Sequence, residues 1–195
     1  NECERSISFN SVGFIDINNN TIYKGILEIL YSNNVVLSDN CMMGTDTNIL
    51  IHILNSNTII IINNNLTSNY THIFVQGTRK VQINNNSFLN RGGIKIEGSS
   101  EEDIHYNIFY FLNTSCYAPK SVWDKNGIGN YWKEMDLPDE DGDGISDVVV
   151  NIPGGGVDNY PLVPRILLDV IPQTKEGTTG EIIAVDLLSI PSKYN

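Results

Sequence analysis

The feature that most narrows the fold of this chain is an internal repeat. Five segments align: Ile15–Asn20 (IDINNN), Val35–Asn40 (VVLSDN), Ile60–Asn65 (IIINNN), Val81–Asn86 (VQINNN) and Glu102–Asn107 (EDIHYN). Their last asparagines stand at 20, 40, 65, 86 and 107, a step of about 21 residues, which is the period of a solenoid. Three residues before each asparagine sit Ile17, Leu37, Ile62, Ile83 and Ile104. Five before sit Ile15, Val35, Ile60, Val81 and then Glu102, the one polar exception. Two after sit Ile22, Met42, Thr67, Phe88 and Phe109, with Thr67 the misfit. Apolar residues two apart mark short strands with one buried face.

Further strands are expected at Gly25–Leu30, 48–54, 72–75 and Gly93–Glu97, separated by Gly, Ser and Asn turns. One such winding cannot bury its own apolar face. Stacked windings can, with like residues above one another at about 4.8 Å. The reading is an all-β parallel β-helix, a β-solenoid of about 21 residues per coil. Asn20, Asn40, Asn65, Asn86 and Asn107 would form an amide ladder along one corner, where an αL-tolerant residue is favoured. The leucine-rich repeat has a similar period, but its L-x-x-L-x-L pattern is missing.

Composition bounds the function. Asparagine supplies 26 of 195 residues, which disfavours helices. The net charge of −11 argues against nucleic acid and against an anionic membrane face, and suits hard cations. No stretch reaches the roughly 18–20 apolar residues of a membrane span. The sequence opens inside the repeat and without a signal peptide, so we read it as a processed or trimmed piece. Three cysteines, Cys3, Cys41 and Cys116, leave at least one thiol unpaired within the chain. N-x-[ST] sequons make Asn19, Asn65, Asn69, Asn85 and Asn113 candidates for glycosylation, as in a secreted glycoprotein.

Residues 1–112 read as coils, 113–163 as a cap and 164–195 as a tail. The cap begins with WDKNGIGNYW, residues 123–132. A solenoid needs an atypical end, and Trp123, Tyr131 and Trp132 are candidates for its lid. The same three aromatics are candidates for stacking carbohydrate. Next comes DEDGDGISD, residues 139–147. Asp139, Asp141 and Asp143 take positions 1, 3 and 5 of a Ca²⁺ loop, and Gly144 takes position 6. The Ile145 carbonyl and Asp147 follow at 7 and 9. Position 12 is Val150, so the EF-hand glutamate is absent; Asp136 or Asp158 would complete the shell. Oxygen-only ligands favour Ca²⁺ over transition metals. The tail holds two apolar runs, RILLDVIP and EIIAVDLLSI, around a turn at KEGTTG. It reads as strands that open an immunoglobulin-like module, pack on the solenoid, or pair with an edge of a neighbouring copy.

GNYW at 129–132, DEDGDGISD at 139–147, IPGG at 152–155 and DNYPL at 158–162 occur in that order after Asn-rich coils. That string resembles the C-terminal region of NosD-like right-handed parallel β-helix proteins, over residues 1–163. The resemblance implies a right-handed helix, export and a cell-surface role. The proline-tyrosine that follows the loop in that family is replaced here by Val148-Val149.

For an enzyme, paired carboxylates would have to project from neighbouring coils. Asp16, Glu28, Asp39, Asp46 and Glu97 occupy different phases of the repeat. A lyase would use Arg79, Lys80, Arg91 or Lys95 beside Ca²⁺. The expected function is a non-catalytic, calcium-stabilised structural protein of the cell surface. Its expected partners are cell-surface glycans or neighbouring copies of itself, in a filament or layer. A carbohydrate-binding module and a fragment of a polysaccharide lyase or hydrolase are the alternatives.

Overall fold

A computed structural model describes residues 5–44, 49–111 and 116–164. Five windings of three strands each are stacked. The first contains β1 (Arg5–Asn10), β2 (Ile15–Asn18) and β3 (Thr21–Tyr23). The second contains β4 (Gly25–Leu30), β5 (Val35–Ser38) and β6 (Cys41–Met43). The third contains β7 (Ile49–Leu54), β8 (Ile59–Ile62) and β9 (Asn65–Thr67), and the fourth β10 (Thr71–Gln76), β11 (Val81–Asn84) and β12 (Ser87–Leu89). The fifth contains β13 (Gly93–Glu97), β14 (Glu102–His105) and β15 (Ile108–Phe109). Like strands pair in parallel, giving three sheets along the axis: β1-β4-β7-β10-β13, β2-β5-β8-β11-β14, and β3-β6-β9-β12-β15. A sixth rung, β16 (Tyr131–Trp132), extends the third sheet, and β17 (Val150–Asn151) pairs antiparallel with β18 (Val157–Asp158). The described residues contain no helix, so none that could cross a membrane.

Alternation along each strand turns every second side chain inward. Register then stacks these into files. Leu27, Ile51, Ile73 and Ile94 form one, and Ile29, Ile53, Val75 and Ile96 another; each is 0–1% exposed. Fully burying such a side chain contributes about 1.5–3 kcal/mol, so the core comes from repetition rather than from any one winding.

The sequence alignment slips by one residue in the third winding. Ile59 and Ile61 face the core, whereas Ile60 and Ile62 point outward and are half-buried. The interior file is therefore Ile17, Leu37, Ile61, Ile83 and Ile104, with Ile17 only partly covered at the end of the stack. The ladder residue is Asn64, 2% exposed, and Asn65 faces outward. A one-residue slip inverts every side chain of a strand. Four isoleucines followed by three asparagines permit two registers, and Thr67 marked the wrong one. With Asn64 in the ladder, Leu66 joins the file of Ile22, Met42, Phe88, Phe109 and Trp132.

The asparagine ladder has one rule. From Asn40 on, each Oδ1 accepts the backbone N–H and the side-chain amide of the preceding winding. Asn64 Oδ1 receives both from Asn40 at 3.0 Å, and Asn86 Oδ1 receives them from Asn64 at 2.9 and 3.0 Å. Each Nδ2 also caps a strand carbonyl of the preceding winding, as Asn64 does Leu37 O at 2.8 Å. The left-handed backbone falls on the residue before the ladder: Asn19, Asp39, Asn63, Asn85 and Tyr106, with φ of 53–60°. Tandem asparagines thus divide the work, one tolerating αL and the next bonding. A second, unforeseen ladder runs along another corner. Ser32 Oγ accepts from Val12 N, Ser56 Oγ from Ser32 N and Ser99 Oγ from Thr78 N, each at 3.1 Å.

Candidate metal-binding cap

The ladder does not stop at Asn107. Asn130 Oδ1 accepts from Asn107 N at 3.1 Å and Nδ2 at 3.0 Å, so GNYW is both cap and sixth rung. Trp132 then falls under Phe109, the rings stacked at 4.5 Å, as Phe109 lies under Phe88 at 4.7 Å. Trp123 packs beside both at 6.0–6.1 Å. Trp123 and Trp132 are 0% and 1% exposed and close the core. Their faces are covered by protein, which corrects the expectation that they offer a sugar-stacking platform; Tyr131 is half-buried on the outer side. Glu102, the polar exception in its file, is buried and accepts a hydrogen bond from the Ser121 hydroxyl.

Asp158 ends the ladder. It is fully buried, and its Oδ2 takes the place of the next asparagine's Oδ1. It accepts Asn130 N at 2.8 Å, Asn130 Nδ2 at 3.3 Å and the Trp132 indole N–H at 3.0 Å. Oδ1 accepts Tyr160 N at 3.2 Å. Burial raises its pKa to about 6, against the opposing pull of these donors. This placement removes Asp158 from the set of calcium ligands: its oxygens are spent inside the cap. Gly129 is required beside it, because a Cβ there would stand 1.8 Å from Asp158 Oδ1.

The aspartate loop follows from local chemistry. Asp139, Asp141 and Asp143 each present a carboxylate oxygen, and these atoms lie within 4.8 Å of one another. Two oxygens that share a Ca²⁺ at 2.3–2.6 Å are at most about 5 Å apart, so the set fits that ion. Backbone amides hold the carboxylates in place. Asp143 N donates to Asp139 Oδ1 and Asp141 Oδ1 at 3.0 and 3.1 Å, Gly144 N to Asp139 Oδ2 at 3.0 Å, and Ile145 N to Asp143 Oδ1 at 2.8 Å. Gly142 and Gly144 make the turn at φ of 70° and 86°. Asp147 Oδ2 accepts Glu140 N at 2.6 Å and closes the loop end to end. Asp136 stands apart, exposed, in a groove with Lys133, Glu134 and Leu137.

The loop is tied to the last winding. Ser146 N donates to Pro161 O at 2.8 Å and Val163 N to Gly144 O at 3.0 Å. Leu162 N donates in turn to Asn130 O at 2.8 Å. Isolated bridges place Leu162 between Ile145 and Tyr131. Asp141, Asp143, Asp147, Asn159 and Tyr160 line a pocket of about 300 Å³ beside the loop.

The other sequence candidates are dispersed. Asn19, Asn65, Asn69 and Asn85 are exposed, and Asn113 lies outside the described residues. Glu28 faces His52 at 3.8 Å, Lys95 pairs with Glu97 at 2.8 Å, and Arg79 approaches Glu101 at 4.0 Å. Asp16 and Asp39 are exposed, Asp16 on β2 and Asp39 at the corner after β5. Cys3, Asp46 and the tail strands lie outside the described residues. His72 is buried, and burial lowers its pKa to about 4. No family model, curated protein or solved structure matches this chain.

Proposed function

We propose that this chain is a non-catalytic structural element of an extracellular or cell-surface protein of the NosD-like kind, its solenoid right-handed and its cap stabilised by Ca²⁺. The observation that carries the reading is the convergence of Asp139, Asp141 and Asp143 in a loop pinned to the last winding. Three carboxylates this close repel one another; a divalent cation would turn that repulsion into a tie across the loop. The Ile145 carbonyl and Asp147 are the further ligands we assign. Calcium would act on stability rather than on a reaction. It would hold residues 144–146 against 161–163, and through Leu162 hold the edge of the third sheet. Neighbouring copies or cell-surface glycans are the partners this role suggests.

The test is calorimetric titration of chelator-treated protein with Ca²⁺ and with Mg²⁺, alongside thermal melts. The reading expects one Ca²⁺-selective site and a higher melting temperature. It expects both to vanish in Asp141→Asn/Asp143→Asn while circular dichroism of the coils is unchanged. Ca²⁺ at 100 times its Kd would add about 2.7 kcal/mol. No heat of binding and no thermal shift at millimolar Ca²⁺ would refute it.

A further inference from the structure

At the corner between the second and third sheets, asparagine has two uses that do not overlap. The ladder residues Asn20, Asn40, Asn64, Asn86, Asn107 and Asn130 spend their amides on neighbouring windings. None of them heads an N-x-[ST] sequence. Register forbids it: two residues after a ladder asparagine the chain turns inward again, at Ile22, Met42, Leu66, Phe88, Phe109 and Trp132. One residue earlier the pattern inverts. Asn19 and Asn85 stand just before the ladder, at φ of 53° and 55°, and are exposed. Their hydroxyl partners Thr21 and Ser87 face outward on β3 and β12, while Asn20 and Asn86 between them bond the ladder. Asn65 lies farther along, opposite Ser87, with Leu66 in the core at 0% exposure and Thr67 outward. Among the described residues the side chains of Asn19, Asn65 and Asn85 have no hydrogen-bond partner.

We propose that Asn19, Asn65 and Asn85 carry N-linked glycans, set in a ridge along this corner; the proposal rests on the extracellular reading above. Each site presents on one face what the transfer needs, a free carboxamide and a hydroxyl two residues on. The co-reactant is a polyprenyl-diphosphate-linked oligosaccharide. The asparagine Nδ2 attacks its anomeric carbon. The N–C1 bond forms, the C1–O bond breaks, polyprenyl diphosphate leaves and one amide proton passes to solvent. Asn19 and Asn85 stand three windings apart, about 14 Å at roughly 4.8 Å per winding. Asp39 and Asn63 hold the same corner position between them and head no such sequence. The sugars overlie the outward row Thr21, Cys41, Asn65 and Ser87 of the third sheet. No contact of the fold uses these three amides, so attachment breaks no bond of the stack. Asn69, the fourth exposed acceptor sequence, lies at a different corner, in the turn before β10.

Glycopeptide mass mapping of the protein purified from its own cells, with fragmentation that keeps sugars attached, reads each site. Sugar is expected on Asn19, Asn65 and Asn85. It is expected to be absent from Asn18 and Asn63, which are also exposed but lack the hydroxyl two residues on. Thr21→Ala, Thr67→Ala and Ser87→Ala, made in the same cells, keep the asparagine. Each should clear the sugar from its own site alone, with far-ultraviolet circular dichroism unchanged. If one of them fails to fold, Asn19→Gln, Asn65→Gln or Asn85→Gln takes its place, and the map of the unaltered protein decides without either. A sugar-free peptide at any of the three sites breaks the ridge and overturns the proposal. So does sugar that survives loss of the hydroxyl, the mark of a chemical adduct. Protease added to intact cells tests the extracellular reading by itself. Protection from cleavage overturns that reading, whereas cleaved surface protein with bare asparagines overturns the glycans alone.

Discussion

Replacing Asn64 and Asn65 by alanine, one at a time, separates two registers of the third winding. In the structure Asn64 is buried and engaged on every side. Its Oδ1 accepts Asn40 N and Nδ2, and its Nδ2 donates to Leu37 O, Ile62 O and Asn86 Oδ1. Truncation removes a partner from three backbone groups in a corner closed to water; Ile62 O keeps Asp39 N, whereas Asn40 N and Leu37 O lose the bonds that Asn64 gave them. Each such orphan costs about 1–3 kcal/mol, so Asn64→Ala is expected to lose about 3–5 kcal/mol. Asn65 points outward, and its alanine variant should stay within about 0.5 kcal/mol. Urea unfolding followed by far-ultraviolet circular dichroism reads the difference. With a slope of about 2–3 kcal/mol per molar, Asn64→Ala should lower the midpoint by about 1–2 M and Asn65→Ala by hardly anything. Equal losses, or a larger loss at Asn65, would refute the register and with it the ladder as the organising bond of the stack.

Removing the ladder's terminus should act on the cap alone: Asp158→Ala orphans Asn130 N, Tyr160 N and the Trp132 indole, so fluorescence of the two cap tryptophans should change at about 3–5 kcal/mol less unfolding free energy, ahead of the circular dichroism. Trp132→Ala should cost about 3–5 kcal/mol by leaving a cavity under Phe109. His72 is held neutral in the fold, with its pKa lowered from 6.5 to about 4. Its contribution is complete above pH 6.5 and is lost as pH falls toward 4, on the order of 3 kcal/mol; His72→Gln should flatten that part of an unfolding-versus-pH curve. Asp158 has the opposite sign, because its folded pKa is raised from 3.8 to about 6. Its protonated form favours the fold, so stability it contributes below pH 3.8 is lost as pH rises through 6, again on the order of 3 kcal/mol. The two slopes oppose each other between pH 4 and 6, and each should appear only when the other group is replaced.

The repeat determined the fold class without help from coordinates. Apolar residues two apart at a period of about 21 can be buried only by stacking, so Leu37, Ile83 and Ile104 were legible as one interior file, and Met42, Phe88 and Phe109 as another. The aspartate loop was legible for a similar reason: Asp139, Asp141 and Asp143 are close in sequence, and Gly142 and Gly144 permit the turn that brings them together. What depends on distant partners was not legible. Four isoleucines and three asparagines in a row fit two registers equally well, and only the neighbouring windings, which want Leu66 under Met42, choose between them. That Asp158 serves the ladder and not the ion follows from a return of the chain across 26–28 residues, the separation of Asp158 from Trp132 and Asn130. Periodicity acts between adjacent windings and is written in the sequence, whereas closure depends on where a long loop comes back, and only the packed structure decides that.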